Sequence, residues 1–390
     1  MAKKINISLV GGQPLPVYIP IVTERPDVVY LLHSDQTTRQ ANSIKQALAA
    51  KLPQTRAELV KLNTDLNAAH VQLNAFASVW CKADSTVTLN VSGGTKGWSI
   101  ICCKVFGGLN NVTTIYIDQN SEVWDINTLK HWNVDATRLS LDDYASLFGL
   151  KCKKTDFSAT YTDADRQAAQ QLNKLHSKNA KALGEMAGYL SDHTNETSTS
   201  HNSCSLAWDK AERCFTGSIT DYDGRNAQEF TISSPNCRRL MLNTGWFEFL
   251  VADLLSSWPP ARKVWTNVHF YNPKGSLPND INSTKNKNNA ESDLNEVDII
   301  VETTKGKLLY VECKTQVHNT TDIDKFNTVV KKTGGLGSKL IFVTKKPIDG
   351  VALKNIENQG IRRFVYRDIE GNKSKFFDEL YKYLDSINEK

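Results

Sequence analysis

Short apolar strands alternate with helices over the first 130 residues, and this order of elements constrains the fold more than any other feature of the sequence. Apolar runs typical of buried strands lie at residues 5–10, 27–32, 57–62, 86–91 and 113–117. Apolar side chains repeat at helical spacing at residues 36–51, 66–81 and 96–106. Strands that alternate with helices pair in parallel, with helices on both faces of the sheet. The pattern predicts a Rossmann-like α/β domain over residues 1–134.

The chain changes character over residues 135–240. A long polar helix is expected at 163–190, followed by a loop at 191–205 that is rich in Ser, Thr, Asn and His. Short strands are expected near 213–232. Because this part carries no repeat and no recognisable motif, we interpret 135–240 as a connecting region.

Residues 241–390 return to apolar strands and helices, which indicates a second α/β domain in a chain long enough for two or three. Strands are expected at 263–271, 296–302, 307–314, 339–344 and 362–367. Helices are expected at 242–255, 322–332 and 372–388. A polar, Asn-rich loop at 272–294 follows the first of these strands. The predicted fold class is therefore α/β in both domains.

Two consecutive strands, 296–302 and 307–314, carry charged residues inside apolar runs. Asp298 lies in the middle of the first, where a carboxylate is costly to bury unless it is paired or binds a cation. Glu312 and Lys314 are two residues apart on the second, so both side chains point to the same face. We expect the two carboxylates and the ammonium group to converge on one spot.

This grouping suits the hydrolysis of a phosphodiester. Two carboxylates bind a hard cation such as Mg²⁺ or Mn²⁺ through oxygen, and the carbonyl group of Cys313 is a candidate third ligand. Lys314 would orient the attacking water or stabilise the transition state. Glu248, on the helix before the first strand, is a candidate further ligand. The alternative is a surface hairpin, with Glu248 an ordinary helix-surface charge.

Glycine-rich turns follow two strands of the N-terminal domain. The first strand leads into Gly11-Gly12-Gln13-Pro14, and the fourth leads into Ser92-Gly93-Gly94-Thr95-Lys96-Gly97, which opens a helix. Backbone amides at a helix N-terminus bind anions, and glycine allows a ligand to approach the chain closely. The spacing matches neither a Walker A loop nor G-x-G-x-x-G. Ordinary strand-to-helix turns are the alternative.

Composition permits a polyanionic partner without requiring one, because the net charge is only +5. The 8 cysteines form no C-x-x-C pair, so we expect reduced thiols in a cytoplasmic protein. No apolar stretch approaches the length of a membrane-spanning helix. The sequence therefore predicts no membrane partner.

The strand pair resembles the PD-(D/E)xK nuclease superfamily. Asp298 takes the place of the motif's Asp, and Glu312 to Lys314 that of its Glu-x-Lys. Val297 stands where the motif's name has Pro. In the superfamily the next helix often adds a polar residue, which makes Lys331 and Lys332 candidates for phosphate contact, with a solvated helix face as the alternative. The resemblance implies a restriction-endonuclease-like fold for residues 241–390.

The order of a Rossmann-like domain with an S-G-G-T-K loop and a restriction-like domain resembles the CARF-domain effector nucleases of type III CRISPR systems. The resemblance covers both ends of the chain and little of 135–240. It implies a homodimer with a cyclic oligoadenylate, commonly cyclic tetra-adenylate, bound across the two-fold axis. The implied ligand residues are Gly12, Gln13, Gly93, Gly94, Thr95 and Lys96, joined by Ser34 and Gln36, with His33 beside them.

The family further implies an antiviral, metal-dependent endonuclease that the ring ligand activates allosterically. Its nucleic acid substrates would be duplex DNA that is nicked, single-stranded DNA or single-stranded RNA, and the sequence does not choose among them. One alternative is a ring nuclease that cleaves its own ligand. Another is a non-catalytic sensor or regulator, which needs a DNA-binding module in 135–240; the presence of Asp298, Glu312 and Lys314 argues against it.

Overall fold

The computed structural model describes residues 2–118, 122–134, 139–271, 293–317, 321–333 and 338–386. Their strands form three sheets, one of them seven-stranded, one four-stranded and one six-stranded. The predicted α/β fold class is confirmed. The predicted loop at 272–294 lies mostly outside the described residues, as do the side chains of Lys331 and Lys332.

The N-terminal sheet has a parallel core of five strands in the order β3-β2-β1-β4-β5. These are β1 (Lys3–Leu9), β2 (Val28–His33), β3 (Arg56–Lys61), β4 (Ser85–Asn90) and β5 (Val112–Ile117). Two antiparallel strands extend it at one edge, β6 (Glu122–Asp125) and β7 (His131–Asn133). The helices that connect the parallel strands are α1 (Leu15–Glu24), α2 (Thr38–Lys51), α3 (Leu66–Trp80) and α4 (Lys96–Phe106).

Helix α1 was not predicted. Its residues are apolar on nearly every side, and all but the last two of them are buried. A helix that is buried all round has no polar face, so the periodicity that reveals a surface helix is missing. Pro16 and Pro20 further weaken the helical signal in the sequence, although proline is tolerated in the first turn of a helix.

The segment predicted as a connecting region contains a folded unit of its own. Four antiparallel strands pair in the order β12-β11-β10-β9. They are β9 (Ser198–His201), β10 (Cys204–Asp209), β11 (Cys214–Ile219) and β12 (Gln228–Ser233). The elements that precede them are α5 (Leu141–Leu147), β8 (Lys151–Asp156), α6 (Phe157–Thr160), α7 (Asp163–Lys178) and α8 (Ala180–Asp192).

Two details of this segment differ from the prediction. The single helix expected at 163–190 is two helices, because Asn179 leaves helical geometry and its side chain accepts a hydrogen bond from the amide of Ala182. The loop expected at 191–205 contains the strand β9. This polar strand has no apolar alternation, so its pairing with β10 is what establishes it.

The third sheet has the order β17-β16-β15-β14-β13-β8. Its C-terminal strands are β13 (Ala261–Tyr271), β14 (Asp293–Thr303), β15 (Leu308–Lys314), β16 (Lys339–Thr344) and β17 (Arg362–Val365). The remaining helices are α9 (Cys237–Met241), α10 (Gly245–Ser256), α11 (Thr321–Thr333), α12 (Gly350–Asn358), α13 (Tyr366–Gly371) and α14 (Lys373–Asp385). Helices α7, α8 and α10 pack on one face, and α11 and α12 on the other. The segment 135–240 contributes β8 as the edge strand beside β13, so it does more than connect two domains.

Helix α5 joins the N-terminal sheet to the third sheet. On one side, Asp143 forms an ion pair with Lys51 of α2 at 2.8 Å and accepts a hydrogen bond from Tyr18 of α1 at 3.2 Å. On the other side, the amide of Leu141 donates to the buried carboxylate of Glu302 at 2.8 Å. One continuous apolar cluster contains residues from both sheets. The two parts of the chain are therefore packed together through α5.

Among the described residues, no helix combines the length and the apolar character that a membrane crossing needs. Each of the eight cysteines is a free thiol.

Candidate active site and ligand-binding loops

Asp298 and Glu312 occupy neighbouring strands at the end of a ladder. The antiparallel pairing of β14 with β15 includes Ile299 opposite Val311, so the next residues outward are Asp298 and Glu312. Side chains alternate along a strand, which gives these two carboxylates the same face. Both are nearly inaccessible, with exposed fractions of 9% and 8%. The register thus brings Asp298 and Glu312 to neighbouring positions, and their joint role in one site stays a prediction.

The carboxylate of Asp298 accepts a hydrogen bond from the backbone amide of Cys313 at 2.7 Å. The pKa of Asp298 is raised to about 6, mainly by burial and also by nearby Glu296. Lys314 and the amide of Cys313 act in the opposite direction. A buried carboxylate with an elevated pKa gains from any additional positive charge close by.

Lys314 lies at the mouth of this group. Its Nζ is 2.7 Å from Oε1 of Glu312, and about a third of its side chain is exposed. The ammonium group is therefore anchored beside the carboxylates and still accessible to a substrate. This is the position in which a lysine stabilises negative charge that develops during a reaction.

Glu248 approaches the same group from α10. The residues on either side of it, Phe247 and Phe249, are buried and attach the helix to the sheet. Burial raises the pKa of Glu248 to about 8, and repulsion from Asp298 and Glu296 adds to the effect, whereas Arg239 and Lys314 lower the pKa. Like charges this close disfavour joint ionisation, so the acidic cluster needs a cation to hold all its members ionised.

The donor set consists of hard oxygens, which suits Mg²⁺ or Mn²⁺ rather than a soft metal. In the part of the chain that the structure describes, no three His, Cys, Asp or Glu side chains are grouped as a ready-made metal site. A cation would thus need backbone oxygen, such as that of Cys313, in addition to side chains. The thiol of Cys313 is unsuited to the task, because burial raises its pKa well above the ordinary value.

A cleft of about 1050 Å³ opens over the carboxylates. Glu248, Glu296, Asp298 and Lys314 line one part of it. Another part of the wall comes from residues that the sequence analysis did not identify, among them Trp208, Lys210 and Arg213 of the β10–β11 hairpin and Arg238 and Arg239 of α9. The only sequence signal for them is the adjacent arginine pair, because the hairpin lies far from the motif along the chain.

The glycine-rich turns lie together at one edge of the N-terminal sheet. The turns follow β1, β2 and β4, which are neighbouring parallel strands, so their carboxyl ends meet. Strand β1 has β2 on one side and β4 on the other, so the direction of the strand order reverses between β1 and β4. α/β sheets bind ligands at such switch points. The predicted residues gathered at this edge are Gly12, Gln13, Ser34, Gln36, Gly93, Gly94, Thr95 and Lys96.

Two of these turns pack backbone against backbone. A Cβ on Gly93 would lie 2.0 Å from the carbonyl oxygen of Leu9, and one on Gly11 would lie 2.9 Å from the amide nitrogen of Gly94. Gly94 also has a φ of 74°, which favours glycine. Gly12, by contrast, faces open space. The first contacts thus hold the loops in place, while Gly12 is free to meet a ligand.

Side chains of the loops have structural hydrogen bonds. The hydroxyl group of Thr95 caps α4 by accepting from the amide of Trp98 at 3.3 Å. Thr37 accepts from the amide of Ser34 at 3.0 Å, which shapes the turn after β2. His33 is buried, and its Nδ1 is 3.0 Å from the carbonyl oxygen of Ser34. The exposed members of the predicted set, Gln13, Gln36 and Lys96, leave their side chains accessible.

Two residues that the sequence analysis missed organise the loop after β4. Buried Asn90 donates to the carbonyl oxygen of Pro16 at 2.8 Å and accepts from the hydroxyl group of Ser92 at 2.6 Å. Ser92 in turn accepts from the amide of Ile117 at 2.8 Å. This chain of hydrogen bonds ties β4, β5 and α1 together behind the glycines.

Sequence comparison assigns the N-terminal part of the chain. Residues 5–144 match the family model of the Card1 CARF domain. The match begins in β1 and ends in α5, so it covers the seven-stranded sheet and the helix that leads to the third sheet. No curated protein matches the chain in sequence.

Solved structures resemble the chain over nearly its whole length. Protein VC1899 from Vibrio cholerae has a TM-score of 0.73 at 15% identity, with 99% of both chains covered. Can2 from Sulfobacillus thermosulfidooxidans, in complex with cyclic tetra-adenylate, has a TM-score of 0.68 at 18% identity, covering 98% of this chain and 100% of that one. At these identities the likeness shows the fold alone.

A third structure is a type III CRISPR defence DNA nuclease activated by cyclic oligoadenylate. It has a TM-score of 0.58 at 15% identity, and the match covers 96% of this chain but only 52% of that chain. The restriction-endonuclease-like assignment of residues 241–390 stays a prediction that rests on Asp298, Glu312 and Lys314.

Proposed function

We propose that this protein is a metal-dependent endonuclease of type III CRISPR antiviral defence, activated by a cyclic oligoadenylate, with cyclic tetra-adenylate as the expected ring. The observation that carries the proposal is that Asp298, Lys314 and Glu248 line one cleft, with Glu312 2.7 Å from Lys314. The match of residues 5–144 to a CARF domain supplies the link to cyclic oligoadenylate.

Asp298, Glu312 and the carbonyl oxygen of Cys313 would hold Mg²⁺ or Mn²⁺, with Glu248 close by. When bound, such a cation polarises a phosphodiester and neutralises its charge. The raised pKa values of Asp298 and Glu248 fit this role, because a cation between them removes the repulsion that opposes their ionisation. Lys314 would stabilise charge on the scissile phosphate or orient the attacking water.

The proposed substrate is nucleic acid, namely DNA that is nicked in a duplex or cleaved as a single strand, single-stranded RNA, or both. The cleft supports a polyanionic substrate, because four basic residues line it together with the carboxylates. The resemblance to a DNA nuclease activated by cyclic oligoadenylate supports DNA in particular.

Activation would take place in a homodimer whose ligand loops face each other across the ring. The structure of Can2 with cyclic tetra-adenylate supports this ligand for a chain of the same fold. A ligand activates only when it binds the active arrangement better than the inactive one. Helix α5 offers a route, because it contacts β14 through Glu302, four residues from Asp298 on the same strand.

The test is a cleavage assay with purified full-length protein and Mn²⁺. Supercoiled plasmid, single-stranded DNA and single-stranded RNA are incubated with and without cyclic tetra-adenylate, for the wild type and for Glu312→Gln. We expect cleavage that depends on the ring and is lost in the variant, while the variant still binds the ring. Cleavage without the ring would contradict activation by the ligand. Full activity of Glu312→Gln would contradict the assigned active site.

The same assay separates the two alternatives. A ring nuclease would degrade cyclic tetra-adenylate at the same rate in Glu312→Gln as in the wild type. A sensor or regulator would bind the ring and cut neither nucleic acid nor ring.

A further inference from the structure

The wall of the cleft that carries Trp208, Lys210, Arg213 and Arg238 is the least expected part of the site. It is formed by the β10–β11 hairpin and α9, both from the segment interpreted as a connecting region. We infer that this wall is the substrate clamp, with Lys210, Arg213 and Arg238 on the sugar-phosphate backbone and Trp208 stacked on an unpaired base. The inference rests on the proposed nuclease function and names the substrate form that the site takes.

The charges of the wall are available to a ligand. Lys210, Arg213 and Arg238 are exposed, and none of them forms an ion pair with any residue that the structure describes. The same cleft carries Glu248, Glu296 and Asp298, whose charged carboxylates repel phosphate. A polyanion therefore needs these cations to enter, and lysine and arginine contacts to phosphates dominate nucleic acid affinity.

The hairpin holds its cations in a defined place. Strands β10 and β11 pair from Ser205–Ser218 to Asp209–Cys214. The carboxylate of Asp209 closes the turn by accepting from the amides of Ala211 and Glu212 at 2.8 and 3.0 Å. Because the turn is already ordered, little conformational entropy is lost when it binds a substrate.

Trp208 adds a surface for a base. Its ring packs on Phe215 with centroids 4.6 Å apart, and the residue lines the cleft. Aromatic side chains stack on single-stranded bases, which duplexes keep paired.

The test measures binding without cleavage. Full-length protein with cyclic tetra-adenylate and EDTA is titrated into fluorescein-labelled oligothymidylate, an abasic strand of equal length and a duplex. The cation variant is Lys210→Ala with Arg213→Asn, because residue 213 has a φ of 50° and asparagine tolerates that conformation. The matched control is Arg225→Ala, which lies in the connection between β11 and β12 of the same sheet and outside the cleft.

We expect the cation variant to bind about 10-fold more weakly, with the slope of log affinity against log salt reduced by about 1.4, since each contact to a single strand contributes about 0.7. Arg225→Ala should match the wild type. Trp208→Leu should weaken oligothymidylate binding about 5- to 100-fold and leave the abasic strand unaffected. The intact binding of the abasic strand also shows that this variant is folded.

Unchanged affinity and salt slope in the cation variant would overturn the clamp. Equal weakening of both strands by Trp208→Leu, or equal binding of duplex and single strand by the wild type, would overturn base stacking. A wild type that binds but never cuts with Mn²⁺ would keep the clamp and remove the nuclease. If the wild type cuts while the cation variant binds normally, the nuclease function stands and the clamp is contradicted. If the wild type neither binds nor cuts any of these nucleic acids, both are contradicted.

Discussion

The glycine loops of the N-terminal sheet and the carboxylate cleft of the third sheet are built in opposite ways. In the loops, the close contacts are between backbone atoms, as at Gly93 and Leu9, and Thr95 already has a structural hydrogen bond. In the cleft, buried Asp298 and partly buried Glu248 have raised pKa values. The loops are formed without a ligand, whereas the cleft carries an electrostatic cost that a bound cation would offset.

On the proposed function, this contrast would separate sensing from catalysis. The backbone contacts of the loops are already formed without a ligand, so a bound ring would act mainly by favouring one arrangement of the proposed dimer. A cluster of acidic groups with elevated pKa values is poised for chemistry, because perturbed titration is common at functional sites. Helix α5 contacts α1 and α2 of the N-terminal part and Glu302 of β14, the strand that also carries Asp298.

The strongest test of the contrast is Asp298→Asn in the cleft. We expect cleavage to fall by about 100- to 1000-fold, as for the loss of one transition-state interaction, because the cation that would neutralise the phosphate loses a ligand. Binding of cyclic tetra-adenylate should stay unchanged. The matched control is Cys313→Ala, which keeps the backbone amide and carbonyl groups and removes only the buried thiol. Cleavage rates and ring affinity would be measured for both; equal losses in the two variants would contradict the assigned roles.

The next test compares two glycines of the loops. Gly93→Ala places a Cβ 2.0 Å from the carbonyl oxygen of Leu9, so the loop has to move. We expect a lower melting temperature and a loss of ring binding of about 10-fold or more, since β1 and β4 no longer meet correctly.

Gly12→Ala is the counterpart, because nothing lies within 4 Å of its Cβ position. We expect this variant to melt like the wild type and to lose affinity for the ring alone. Calorimetry and thermal melts measure the two properties separately. Normal ring binding by Gly93→Ala would show that the loops are not the ligand site.

A third test addresses the contact between α5 and β14, which joins the N-terminal part of the chain to the third sheet. Glu302 is buried and accepts hydrogen bonds from Leu141, Arg262 and Trp265 at 2.7–2.8 Å. Glu302→Gln weakens these bonds, so we expect stimulation by the ring to drop about 5-fold or more, within the usual range of coupling free energies. Ring affinity and cleavage at saturating ligand are compared with Lys263→Gln, whose ion pair with Asp156 lies at the surface. Unaltered stimulation in Glu302→Gln would place the coupling elsewhere.

The smallest expected effect concerns the packing behind the cleft. Burial lowers the pKa of His176 to about 4, with Lys345 and Lys346 acting in the same direction, and its ring lies 5.1 Å from that of Trp246. The unfolded chain therefore binds a proton below about pH 6.5 that the folded chain does not, so stability falls as the pH drops from 6.5 towards 4.

His176→Phe keeps the aromatic contact and removes this proton linkage. We expect the variant to melt about 2 °C or more above the wild type at pH 5, with a smaller difference at pH 7.5. His193, an exposed histidine stacked on Tyr189, provides the matched control as His193→Phe. A gain that does not depend on pH would mean that packing alone is responsible.

Several elements could be predicted because local rules govern them. The strands and amphipathic helices of the N-terminal sheet follow from apolar periodicity, and α1 escaped because it is buried on all sides. The break at Asn179 was missed because it depends on a single capping hydrogen bond. The strand β9 was missed because it depends on its pairing with β10. Local periodicity contains neither kind of information.

The sequence by itself determined which side chains share a face. Two-residue spacing on β15 places Glu312 with Lys314, and their position beside Asp298 follows once β14 pairs with β15. Only the tertiary structure decided that β8 joins the third sheet, that Glu302 contacts α5, and that Trp208 and Lys210 line the same cleft as the carboxylates. These contacts join residues far apart along the chain, and the packing of whole elements, rather than any local pattern, brings them together.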